Sequence, residues 1–280
     1  MQNCHVVLAD RDEDAMIDWT NRVLSSSNNF SREQFHIVPC DVTQSSQVLD
    51  LIQQADHLSL IPSSHDNNDS TTTSSTITST ITPSPASFLV NCAGITRDNW
   101  VSNISLTDWD DVMNVNLKGT FLTCQHFLHP QRLKQQLHQP QHAEPKISSL
   151  SNRHSKMEYT APPPNAMSIV NIGSIVSEYG NLGQANYAAS KGGVLGLTRA
   201  LAKESARWGV RVNAVLPGFI DTPMVNTVPQ DIRDTVILPK IPMGRLGRPE
   251  EIADTVAFLL SPRSSYTTGE AIRVSGMISL

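Results

Sequence analysis

The sequence predicts an α/β protein: a doubly wound parallel sheet with helices on both faces, in three layers. Two observations carry the prediction. Short apolar runs alternate along the chain with longer segments of helical period, and most of these runs lack the in-out alternation of a half-exposed strand. Unbroken apolar runs of this kind belong to parallel strands buried on both faces.

In order, the strands are expected at 5–9, 35–39, 88–91, 168–172, 210–216 and 271–274, with helices at 12–24, 45–55, 107–128, 186–208 and 249–260. Two tracts interrupt the alternation. Residues 57–87 are rich in Ser, Thr and Asn, and residues 129–165 are rich in Gln, His, Ser and Pro. Neither holds enough apolar surface to order itself, so both are expected to be disordered insertions in a single domain spanning 1–280. Each joins a helix to the next strand and so turns at the N-terminal edge of the sheet. Ligands of open α/β sheets bind at the opposite edge.

Composition narrows the function classes. A formal charge of -5 gives no electrostatic footprint for nucleic acid or an anionic membrane. No segment approaches the roughly 20 apolar residues of a membrane span. The acidic start (Asp10, Asp12, Glu13, Asp14) does not read as a signal or transit peptide. The cysteines, Cys4, Cys40, Cys92 and Cys124, are widely spaced and fall in or beside apolar segments, so they read as reduced core thiols. His126, His129, His138 and His142 lack metal-ligand spacing, and no metal is expected.

The chemistry concentrates in "SIVNIGSIVSEYGNLGQANYAASKGGVLGL". Ser174 follows a buried strand. Tyr187 and Lys191, four apart at the start of a long helix, share one face. A phenol of ordinary pKa about 10 is a poor base at neutral pH, and a neighbouring ammonium favours its ionised form. Tyr187 is thereby suited to exchange a proton with an alcohol or ketone, with Ser174 orienting the substrate oxygen. Many helices carry an exposed Tyr-x-x-x-Lys pair, so the surroundings decide. "LVNCAGI" ends a strand with Asn91, Ala93 and Gly94, small enough to let a ligand approach the backbone. "NVNLKGTFL" sets Asn116 inside a helix it can bend or hydrate, and "VLPGFIDTPM" puts Pro217 and Gly218 in a loop at the binding edge.

With "NYAASKGGVLGLTRALAKE", "IPMGRLGRPEEIADTVAFLLS" and "YTTGEAIRVSG", these motifs resemble the short-chain dehydrogenase/reductase family, a Rossmann-like group. Within it they are most similar to the 3-oxoacyl-[acyl-carrier-protein] reductases and the type 8 17β-hydroxysteroid dehydrogenases. The resemblance implies Tyr187 as acid/base, Ser174 as the group positioning the carbonyl, Lys191 as ligand of the nicotinamide ribose, and Asn116 as holder of a relay water. It further implies that Asn91, Ala93 and Gly94 line the adenosine side, that Asp41 and Val42 contact the adenine, and that Pro217, Gly218, Ile220 and Thr222 hold the nicotinamide end. Asp10 would accept from the adenosine ribose hydroxyls and repel a 2′-phosphate, favouring NAD over NADP, with Arg11 beside it weakening the preference. The substrate implied is a small-molecule ketone or secondary alcohol, an acyl thioester or a steroid. Residues 224–241 would form an apolar substrate lid. A homo- or hetero-tetramer is implied, in the mitochondrial matrix or alternatively the cytoplasm.

One departure matters. In this family a first strand and a glycine-rich turn, with the next helix N-terminus, seat the pyrophosphate. The first glycine in this sequence is Gly94. The sheet is therefore expected to lack its first strand and helix, so that the strands ending at Asp10 and Asn91 either pair directly or leave unpaired edges. A cofactor-deficient, non-catalytic subunit is the alternative reading. A smaller departure is "VSGM", with one glycine where the family often has two.

Overall fold

The computed structural model describes residues 5–26, 31, 34–58, 86–129 and 167–278. Most of both predicted insertions lies outside the described residues, but residues 57 and 58 extend a helix. The six strands fall where the apolar runs place them: β1 (Val6–Asp10), β2 (Phe35–Pro39), β3 (Phe88–Asn91), β4 (Ser168–Ile172), β5 (Arg211–Pro217) and β6 (Ala271–Val274). All pair in parallel. They form two sheets, β1-β2 and β3-β4-β5-β6. Of the two outcomes expected for a missing strand, the second holds: β1 and β3 do not pair, and each keeps an open edge among the described residues.

Helices α1 (Glu13–Ser26) and α2 (Ser45–Leu58) flank the smaller sheet. Asp12 starts α1, its carboxylate accepting from the Ala15 N–H at 2.9 Å, and Glu13 and Asp14 complement the helix dipole. The predicted helix 107–128 is three segments end to end: α3 (Leu106–Val112), a π-helical stretch (Met113–Gly119) and α4 (Thr120–Phe127). Ser105 caps it by accepting from the Asp108 N–H at 3.0 Å. Then follow α5 (Val176–Tyr179), α6 (Ala185–Ser205) and α7 (Pro249–Leu260).

Strands β4 and β5 of the larger sheet are covered on both faces. On one side Ile169 and Val212 pack with Phe127, Cys124 and Ala202, and on the other Val170 and Val215 pack with Leu259. Arg211 is buried, and its guanidinium donates to the Leu259 carbonyl at 2.7 Å and the Ser264 hydroxyl at 2.8 Å. A cation there complements the exposed carbonyls and negative dipole end of α7.

The smaller sheet is attached through α2. Val48 and Leu51 meet Leu122 of α4, and Ile52 joins the cluster of Cys124 and Phe127. Val42 lies on Gly119, where an added Cβ would stand 2.7 Å from the Val42 Cγ2. The expectation of doubly buried strands fails for β1 and β3, where Val6, Phe88 and Val90 are exposed. Their apolar runs are strand-like, but among the described residues each has a strand on one side alone.

Candidate active site

The C-terminal ends of β3, β4 and β5 bring the predicted catalytic residues together. Ser174 follows β4, and Tyr187 and Lys191 stand one turn apart on α6. The Ser174 hydroxyl accepts from the Val176 N–H at 3.2 Å and lies near enough to the Tyr187 phenol to favour its ionised form. The Lys191 Nζ donates to the Ile172 carbonyl at 2.8 Å and lies 5.8 Å from the Tyr187 ring centroid. A short turn fixes Ser174: its carbonyl accepts from the Ser177 hydroxyl, and the Ile175 N–H donates to the Pro217 carbonyl at 3.1 Å.

The electrostatics correct one expectation. The lysine was expected to lower the phenol's pKa. Burial instead raises it, with the Asp98 carboxylate adding to the rise and the Ser174 hydroxyl opposing it. Lys191, only 4% exposed, is pushed down to about 8, chiefly by burial. At neutral pH the pair is a protonated phenol beside a weakened ammonium.

Asn116 sits in the π-helical stretch, fully buried. Its Oδ1 accepts from the Ile95 N–H at 2.8 Å, and its Nδ2 donates to the Ile95 carbonyl and the Ser190 hydroxyl, both at 3.0 Å. The amide thus clamps the loop after β3 to α6 and has no hydrogen free for a relay water. Gly94 lies inside this clamp: a Cβ there would stand 3.2 Å from the Lys191 Nζ and 3.5 Å from the Asn116 Oδ1.

The Asn91 side chain donates to the Asn171 Oδ1 at 2.8 Å and accepts from the Thr123 hydroxyl at 2.6 Å. Asn171 in turn donates to the Thr198 hydroxyl at 2.9 Å. This polar ladder joins α4 to α6 through two strands. Sequence reasoning missed Thr123, Asn171, Thr198 and Ser190. The legible signal was Asn171, an amide inside the apolar run "SIVNI".

Pro217 ends β5. Gly218 follows where a Cβ would be 2.8 Å from the Ser275 Cα, and Ile220 bridges to Gly247. The Thr222 hydroxyl donates to the Ile220 carbonyl at 3.2 Å. Ile237 and Ile241 of the predicted lid pack into the cluster that holds Tyr187, Ile175 and Leu216. Cys92 is exposed rather than a core thiol, while Cys40 and Cys124 are buried.

The remaining predicted cofactor contacts lie on the smaller sheet. Asp10 ends β1 and accepts from the Asp12 N–H at 3.1 Å, beside a cleft of about 500 Å³ lined by Leu8, Ala9, Arg11 and Trp19. The Asp41 carboxylate, after β2, is held below its ordinary range by the Thr43 N–H and hydroxyl, at 2.9 and 2.8 Å. A nicotinamide cofactor therefore meets an uneven fit. Lys191 and the glycine approaches at Gly94 and Gly218 suit its ribose and nicotinamide end, but the described residues include no glycine-rich turn at a helix N-terminus for its pyrophosphate.

Comparison with known proteins agrees with this arrangement. Residues 65–136 match the short chain dehydrogenase model, and residues 150–277 match that of enoyl-(acyl carrier protein) reductase. The chain is 45% identical over 193 residues to acetoacetyl-CoA reductase of Synechocystis sp., covering 69% of this chain and 68% of the relative. It is also 45% identical over 192 residues to (3R)-3-hydroxyacyl-CoA dehydrogenase of Rattus norvegicus, covering 69% of this chain and 62% of that one. The 3-oxoacyl-[acyl-carrier-protein] reductase FabG of Thermotoga maritima is 45% identical over 188 residues, covering 67% of this chain and 64% of the relative. The chain thus spans less than two thirds of the length of the Rattus norvegicus and Thermotoga maritima relatives. A crystal structure from Agrobacterium tumefaciens, of a candidate gluconate dehydrogenase, shares the fold with a TM-score of 0.71 at 23% identity, covering 99% of this chain and 87% of the other. The chain belongs to the short-chain dehydrogenase/reductase family.

Proposed function

We propose that this chain is an NAD(P)(H)-dependent oxidoreductase that interconverts a ketone and a secondary alcohol. The observation that carries the reading is the convergence of Ser174, Tyr187 and Lys191 at the C-terminal edge of β4 and α6. Ser174 orients the substrate carbonyl, and Tyr187 donates its phenolic proton to the developing alkoxide. The raised phenol pKa keeps that proton in place at neutral pH. Lys191 and Gly94 suit the nicotinamide ribose, and the cofactor supplies the hydride. Asp10 supports NAD over NADP.

The apolar wall of Ile175, Ile237 and Ile241 beside Tyr187 favours a 3-oxoacyl thioester, in line with the names of the relatives, with a hydroxysteroid as the second candidate. Exposed Leu106 and Phe121, on the helical run facing away from the sheet, support assembly into a tetramer. The expected compartment is the mitochondrial matrix.

A second reading, a non-catalytic subunit, is favoured by the lack of pairing between β1 and β3 and of a glycine-rich turn at a helix N-terminus among the described residues. The experiment that separates them is reduction of acetoacetyl-CoA followed by NADH oxidation. Tyr187→Phe is expected to lower turnover by about 10²–10⁴-fold, the range for general acid catalysis. Wild-type turnover that Tyr187→Phe leaves unchanged would refute the assigned acid. No turnover by a folded chain would favour the subunit.

A further inference from the structure

Residues 95–99, between β3 and α3, are stitched to the start of α6, the turn that carries Tyr187. At one end the Asn116 amide holds the Ile95 backbone. The buried Asn186 then donates to the Arg97 carbonyl at 2.9 Å, while its own Oδ1 accepts from the Tyr187 N–H at 2.8 Å. At the other end the Asn99 N–H donates to the Gly183 carbonyl at 2.8 Å. Between them the Asp98 carboxylate accepts from the Gln184 Nε2 at 2.9 Å, and the Gln184 Oε1 accepts from the Asn181 Nδ2 at 3.0 Å. Gln184 immediately precedes α6 and stands three residues before Tyr187, the spacing of neighbours on one helix face.

Among the described residues Asp98 forms no ion pair. Its neighbour Arg97 turns instead to α3, lying 3.8 Å from the Asp108 carboxylate and 4.0 Å from that of Asp111. Tyr187 is in the first turn of α6, where the positive end of the helix dipole favours a phenolate. A carboxylate at the same helix start opposes that field. From the end of β4, Ser174 presents a hydroxyl to the phenol, and on its own helix Lys191 presents an ammonium, itself beside the Cys92 thiol. The lid contributes apolar Val228, Ile237 and Leu238 to the cluster that Tyr187 joins. Asp98 is thus the acidic group that acts on the phenol.

We propose that Asp98 is a positioning residue for Tyr187: it braces the start of α6 through Gln184 and sets a negative charge there that favours the protonated phenol. The consequence is a site biased toward giving a proton to a ketone, with proton removal from an alcohol confined to higher pH. This rests on the acid role of Tyr187 proposed above.

The test is an alkaline titration of the Tyr187 phenol by ultraviolet absorbance. The chain holds four tyrosines, and subtracting the corresponding Tyr187→Phe protein isolates this one. Asp98→Asn keeps an acceptor for Gln184 and removes the charge. It is expected to lower the midpoint by about half a pH unit, the size of a partly solvated charge effect. The alkaline fall of acetoacetyl-CoA reduction should move down equally, so that rates above the midpoint drop about threefold. Asp98→Ala, which also removes the brace, should add faster hydrogen exchange in the first turn of α6. An unchanged or raised midpoint in Asp98→Asn would overturn the proposal, as would exchange in Asp98→Ala no faster than in Asp98→Asn. The absorbance needs no turnover, so the two readings fail separately. An unchanged midpoint beside turnover that requires Tyr187 would refute the role of Asp98 alone. A lowered midpoint beside turnover indifferent to Tyr187→Phe would refute the assigned acid and leave the effect of Asp98 on the phenol standing.

Discussion

Strands β1 and β5 are both apolar runs in a parallel sheet, yet β5 is buried from Arg211 to Leu216 while β1 leaves Val6 and Ala9 exposed. The difference lies in their neighbours. β5 has a strand on each side, α6 on one face and α7 on the other. β1 has a strand on one side only among the described residues. An apolar run therefore encodes a strand, but its burial belongs to the assembly around it. Ser174, Tyr187 and Lys191 sit on the larger sheet's side, while three of the six residues expected to meet the adenosine, Asp10, Asp41 and Val42, sit on the smaller one.

Four substitutions would break or sharpen this contrast. The largest effect is expected at Lys191, buried on the larger sheet's side. Its pKa is lowered in the folded protein, so the unfolded chain binds the proton more strongly between about pH 8 and the ordinary lysine range. The stability of the native protein relative to Lys191→Met should rise with pH through that window, by on the order of 3 kcal/mol, and level off above it. Urea unfolding of both proteins across the range measures it, and a pH-independent difference would mean that the ammonium is not buried. Next is Asn171→Leu, which strips the polar ladder of its centre and leaves Asn91 and Thr198 without their partner. A loss of about 3 kcal/mol in unfolding free energy is expected.

Gly119→Ala probes the contact between the halves. The new methyl would press on Val42, costing about 1–3 kcal/mol, and Val42→Ala in the same chain should recover most of it. Additive losses in the double variant would show that this contact does not link them. The smallest effect is expected at Met277, a non-glycine residue at φ 67°. Met277→Gly should stabilise by about 1 kcal/mol, seen as a higher Tm, because the left-handed region penalises a Cβ.

Much of this was legible in the sequence. The apolar runs located all six strands, and the spacing of Tyr187 and Lys191 put both on one helix face. The single glycine of "VSGM" is answered by the left-handed Met277. Other features were hidden because they depend on what lies across space. The direction of the Tyr187 shift follows from burial that spacing cannot report. The clamp of Asn116 on Ile95 joins residues 21 apart, and the π-helical stretch that carries it leaves no composition signal. The bond of Asn91 to Asn171 joins residues 80 apart.

The most direct test of the account is a titration of NADH, with NADPH alongside, against the folded chain, followed by nicotinamide fluorescence. Saturable binding that favours NADH and is weakened by Lys191→Met is the predicted result. A folded chain that gives no saturation with either dinucleotide would contradict the oxidoreductase reading and leave the subunit role.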